Sequence, residues 1–185
     1  MCLKAESSKV LKKLWRREIK ILNWGEKTTI AFPDNMEIII EAIPAIHGLN
    51  SLTGKIVGNG NGYWIEILQA KEKFSLYASG DTLLNKDTIR AIRNRSCDLF
   101  IANAGNATVG NGLLSKLIGR ITMNSADAVS LRNTLFPKTA IMIHWDAFDH
   151  YQERDIVQSC GENNFRYVTP GETVNLTQGA NRHDG

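Results

Sequence analysis

Apolar residues along the chain fall into short β-branched runs in the first half, and into alternating strand-like and helix-like periods in the second. Residues 6–16 carry Val10, Leu11, Leu14 and Trp15 at helical spacing with lysines and arginines between them, which predicts a short amphipathic helix capped by Ser7 or Ser8. A short strand is expected at 19–22, a turn at Gly25-Glu26 and a second strand at 28–32. Pro33-Asp34-Asn35 is a strong turn signal. The continuous run over 37–43 predicts a well-buried strand. Residues 48–62 are rich in Gly, Asn and Ser and read as a loop. The runs over 63–68 and 74–78, turned at Lys71-Glu72, predict a hairpin.

Strand and helix then alternate. Helices are expected over 85–93, 124–135 and 151–159, the last stopped by Gly161. Strands are expected over 98–102, 139–143 and 166–169, with a turn at Pro170-Gly171. Residues 106–121 read as a loop with a short helix, and 178–185 as a frayed tail. The fold class that follows is α/β, an α+β layered protein with helices covering sheet. The 185 residues form one domain over 1–176, with a disordered tail over 177–185.

Composition narrows the function more than the fold. The net charge of +3 is small, and the densest basic stretch, 9–20, reads as the solvated face of a helix rather than a nucleic-acid surface. No apolar run approaches membrane-spanning length, and the first residues lack the apolar core of a secretory signal. Cys2, Cys97 and Cys160 form no CxxC pair, which favours free thiols and a cytoplasmic setting. Neither a GxSxG elbow nor a P-loop occurs; Gly58-Asn59-Gly60-Asn61-Gly62 has no helix after it and reads as a flexible turn.

The candidate chemistry lies at strand ends. IPAIHG ends in His47-Gly48, LYASGDT carries Asp81 after Ser79-Gly80, and AIMIHW ends in His144-Trp145. Each residue has a plain structural reading: a core or loop histidine at His47, a turn carboxylate at Asp81, a hydrogen-bonded strand-end histidine at His144. Together, two imidazoles and a carboxylate at three strand ends are the donor set of a zinc, iron or manganese site. Thr82 and Asp146 are expected to support the ligands. Asp149 and His150 read as loop surface, and His183 lies in the tail.

These stretches resemble the metallo-β-lactamase superfamily, in particular its small metal-dependent hydrolases similar to the ascorbate-phosphate lactonases. The likeness runs from about Lys9 to Leu176 and includes DLFIANAG, TMNSADAV, MIHWDAF and PGETVNL besides the two motifs above. It implies an αββα sandwich with the site at one edge of its two sheets. It also implies that His47 serves a first metal, Asp81 bridges and His144 serves a second, with a metal-held hydroxide as nucleophile. The family's first metal motif, His-x-His-x-Asp-His, is absent from this sequence. The resemblance therefore implies an N-terminally incomplete sandwich in which each metal has lost two or more ligands.

Two functions follow. One is a metal-dependent hydrolase, zinc-bound by preference, acting on an ester, lactone or phosphoester bond of a small-molecule substrate. The other is a catalytically inactive truncated or remnant form with a partial metal site. Missing strands also imply an exposed sheet edge and face, and hence a homo-oligomer.

Overall fold

Glycine at position 25 and the Pro33-Asp34-Asn35 turn bracket the first strand, β1 (Lys27–Ala31), and turn the chain back into β2 (Met36–Ile46). The computed structural model describes residues 20–48, 58–108, 119–144, 161, 164–166, 168 and 171–176. After β2 come β3 (Asn59–Gln69), β4 (Glu72–Ala78), helix α1 (Lys86–Ile92), β5 (Leu99–Asn103), helix α2 (Ser125–Leu135) and β6 (Thr139–Ile143). The strands form one six-stranded sheet in sequence order. Pairing is antiparallel from β1 to β4 and parallel from β4 to β6. Both helices start where the sequence provides a cap. The Asn85 side chain accepts from the N–H groups of Asp87 and Thr88, and the Asn124 side chain from that of Asp127.

Strand register sorts the side chains into two faces. Glu41, Trp64, Tyr77, Phe100 and Ala140 lie opposite one another across five strands and share one face. The Trp64, Tyr77 and Phe100 rings stack along that row, with centroids 6.3 and 5.6 Å apart. Ala128, Leu131 and Leu135 of α2 and Ile92 of α1 close the core over this face. The second face carries Ile38, Ile40, Ile65, Ile67, Leu76 and Ile101, which are half-buried. Among the described residues there is one sheet, where the family resemblance implies two.

Several expectations change. Residues 20–22 carry no strand; Leu22 instead lines a groove on the second face with Ile30 and Ile40. The glycine-asparagine run at 58–62 is not a flexible turn: β3 already begins at Asn59. The strand expected at 166–169 is reduced, among its described residues, to a single bridge between Arg166 and Ile141. Gly161 is itself helical rather than a stop. The helix expected at 6–16, Cys2, Cys160, Asp146, Asp149, His150, His183 and the tail lie outside the described residues, as do all of 151–159 and the middle of 106–121. No described helix is long and apolar enough to cross a membrane.

Candidate metal centre

β2, β4, β5 and β6 all run in the same direction, because β2 and β4 flank the oppositely directed β3 and β4 to β6 are parallel. Their carboxyl ends therefore meet at one edge of the sheet, the edge where open α/β sheets bind ligands. His47 follows β2 directly, Asp81 stands three residues beyond β4, Asn103 is the last residue of β5 and His144 follows β6. The structure brings His47, Asp81 and His144 together. His144 Nδ1 lies 3.1 Å from Asp81 Oδ1, and His47 Nε2 lies 3.7 Å from Asp81 Oδ2.

Local structure explains the placement. The buried Thr82 hydroxyl oxygen accepts the N–H of Ile46 at 2.9 Å, and the Leu83 N–H donates to the Ile46 carbonyl at 2.9 Å. Thr82 thus ties the segment after Asp81 to the end of β2, beside His47. Its hydroxyl also donates to the Leu83 carbonyl at 3.0 Å and accepts from the Asn85 side-chain amide at 3.4 Å, so its supporting role is to hold the loop. On the other side, the Asn103 N–H donates to Ser79 Oγ and the Asn103 amide donates to Asp81 Oδ1, both at 2.9 Å. Asn103 was not singled out in the sequence, where an asparagine after a strand reads as a turn residue. His144 adopts a left-handed backbone, with φ of 69°, a region histidine visits more readily than bulkier residues. Such conformations concentrate at functional sites.

The electrostatics separate the three groups. Burial would raise the Asp81 carboxyl, but hydrogen bonds from His144 and Asn103, with the charges of both imidazoles, outweigh it and bring it down to about 2. Asp81 is therefore an anion at any physiological pH. Burial lowers the His47 imidazole; the Asp81 charge opposes that shift and a charge on His144 adds to it. The hydrogen bond to Asp81 raises His144 against its own burial. His47 thus favours the neutral form, and its buried Nδ1 has no hydrogen-bond partner among the described residues.

Whether these residues fit a metal ion can be judged from the donor set. Each oxygen of Asp81 faces one imidazole, so the carboxylate divides the site into two halves, each with one nitrogen and one oxygen. A catalytic zinc keeps three protein ligands. Among the described residues, no group of three His, Cys, Asp or Glu side chains is placed to hold one ion. By themselves, the described residues do not fit the catalytic metal that the resemblance implies. Cys97 adds nothing to the site: it is buried, and burial, with the nearby Asp98 charge, pushes its thiol up to about 12 against a backbone hydrogen bond from Tyr77.

No protein-family model matches the chain, and no curated protein matches it in sequence. Solved structures do match in fold. A possible metal-dependent hydrolase from Veillonella parvula superposes with a TM-score of 0.71 at 17% identity, over 92% of this chain and 64% of that one. The isothiocyanate hydrolase from Delia radicum gut bacteria gives 0.69 at 20% identity, over the same shares. The metallo-beta-lactamase fold protein YhfI from Bacillus subtilis gives 0.52 at 15% identity, over 87% and 56%. The chain spans less than two thirds of the length of each. These likenesses are of fold alone: the structures resembled include a metallo-beta-lactamase fold protein and two proteins described as hydrolases, and none of the three is described as an ascorbate-phosphate lactonase.

Proposed function

We propose that this chain carries one sheet of a metallo-β-lactamase-type αββα sandwich and keeps a partial metal site, His47, Asp81 and His144, that does not sustain metal-dependent hydrolysis by itself. The observation that carries the reading is the split of Asp81, one oxygen toward each imidazole, at 3.1 and 3.7 Å. That leaves each half-site short of the ligands a catalytic ion needs. The apolar second face of the sheet supports the sandwich, since it is the face a second sheet would cover.

The second reading is an active hydrolase of an ester, lactone or phosphoester bond in a small molecule. It is favoured by the ionised carboxylate held between two imidazoles, a donor set suited to zinc, manganese or iron, and by fold neighbours described as hydrolases. It requires further ligands from outside the described residues.

Metal content separates the two. After incubation with zinc or manganese and desalting, plasma mass spectrometry is expected to find well below one equivalent per chain. A full equivalent that disappears in both Asp81→Ala and His144→Ala would overturn the partial-site reading and justify a hydrolase screen with ester, lactone and phosphoester substrates.

A further inference from the structure

β1 forms one edge of the sheet, and its outward backbone can be read from the register. The Ala42 N–H donates to the Glu26 carbonyl at 3.0 Å and the Phe32 N–H to the Met36 carbonyl at 2.8 Å. Thr28 opposite Ile40 and Ile30 opposite Ile38 continue the same alternation. In an antiparallel ladder every second residue bonds inward. The N–H and C=O groups of Lys27, Thr29 and Ala31 therefore point away from the sheet, and no described residue pairs with them. Apart from half-buried Thr28 the strand is exposed, with Ile30 44% accessible, and it contains neither proline nor a bulge. Natural sheets seldom leave such an edge unprotected.

We infer that β1 pairs antiparallel with β1 of a second copy of this chain across a two-fold axis at Thr29, joining two sheets into one. The sequence of the strand is complementary to itself in this register. Thr29 meets the partner's Thr29, a favourable cross-strand pair. Lys27 meets the partner's Ala31, so the two lysines are kept apart. Lys27 already lies 3.3 Å from Glu41 of its own chain, and beyond that small alanine the partner's Glu37, opposite Ala31 in the register, sets a second carboxylate on the same face. Thr28 meets the partner's Ile30 on the second face, which extends the row formed by Ile38 and Ile67 across the junction.

The geometry also limits the assembly to two copies. Pro33 cannot donate to a ladder and stops the pairing just after Ala31. The opposite edge, β6, is already engaged: Arg166 bridges Ile141 and donates its N–H to the Ala140 carbonyl at 2.7 Å. A symmetric pair that consumes the β1 edge of each copy, unpaired among the described residues, is closed.

The test is the mass of the whole chain in solution by sedimentation, over about 1–200 μM, a range chosen to span ordinary association constants. The expected result is concentration-dependent formation of a species of twice 20.6 kDa. Thr29→Pro removes an N–H that points outward, so it leaves the intramolecular ladder intact, and Thr29→Lys sets two like charges on the axis. Each is expected to weaken self-association by at least about tenfold, with circular dichroism unchanged. Thr29→Cys is expected to give a disulfide-linked dimer under mild oxidation that the wild-type chain does not give, because paired Cα atoms in a ladder lie within disulfide range. A wild-type chain that stays monomeric throughout overturns the inference. So does a dimer indifferent to all three substitutions, which would place the contact on the apolar face instead.

Discussion

Asp81 is an anion that the fold keeps ionised despite partial burial, and this has a sign that can be checked. Its folded pKa of about 2 lies below the ordinary value of 3.8, so its contribution to stability is present above pH 4 and is lost as pH falls from 4 toward 2. The shift alone would set a ceiling of about 2.5 kcal/mol. The side chain is 31% exposed, and screening by solvent reduces the expected figure to about 1 kcal/mol. Asp81→Asn is therefore expected to lose about 1 kcal/mol at pH 7 and to converge with the wild type near pH 2, as read by urea unfolding at pH 7, 5 and 3. The same substitution should lower the His144 titration followed by NMR, since Asp81 is what raises it. The two imidazoles act in opposite senses: the His144 contribution fades as pH rises through its folded pKa, whereas lowered His47 costs stability as pH falls through the ordinary histidine range. The meeting of His47, Asp81 and His144 was legible in the sequence because each follows an apolar run. Asn103 was not, because its contact with Asp81 depends on the parallel placement of β4 and β5, which no local pattern records.

At the scale of the element, the position of Asp81 depends on two chain segments passing unusually close. A Cβ on Gly80 would lie 2.6 Å from the Asn61 carbonyl oxygen, and one on Gly62 would lie 2.7 Å from that of Ser79. Gly80 also has a φ of +60°. This is why β3 carries a glycine at position 62, and glycine's poor strand propensity is why composition alone reads the stretch as a loop. Gly80→Ala adds left-handed strain of about 1–2 kcal/mol to a backbone clash of similar size, so it is expected to cost roughly 3 kcal/mol. Gly25→Ala is the matched control. It has a φ of +82° but nothing within 4 Å of the added atom, so it should pay only the strain of about 1–2 kcal/mol. Equal losses in the two variants, measured by urea unfolding, would show that the close approach contributes nothing. Helix ends, by contrast, were read within a residue, because Asn85 and Asn124 cap through their own side chains and announce themselves locally.

At the scale of the whole molecule, the succession of strands and helices along the chain and the covering of sheet by helices followed from periodicity, since β-branched runs and capped helices are local signals, whereas the order of the strands within the sheet did not, apart from the one hairpin. The tie between the far end of the sheet and the segment after α1 did not, because it joins residues distant in sequence. Arg95 donates through both terminal nitrogens to Glu41 at 2.9 Å, lies over the Trp64 ring at 5.2 Å, and leaves Glu41, itself 6% exposed, with Lys27 as a second partner at 3.3 Å. Burial would raise the Glu41 carboxyl; Arg95 and Lys27 more than offset this and keep it charged. Such a network links β1, β2 and β3 to the chain between α1 and β5 and costs more to break than it gains to make. Arg95→Met removes the main partner and leaves a carboxylate in an apolar setting. It is expected to cost about 2–3 kcal/mol, less than a fully orphaned buried charge because Lys27 remains. Pairing it with Glu41→Leu removes the stranded charge along with its partner, and the double variant is expected to recover at least half of that loss. A thermodynamic cycle by urea unfolding at pH 7 reads the difference. Losses that simply add would mean that the ion pair is a surface ornament and that the aromatic row of Trp64, Tyr77 and Phe100 holds this end of the sheet by itself.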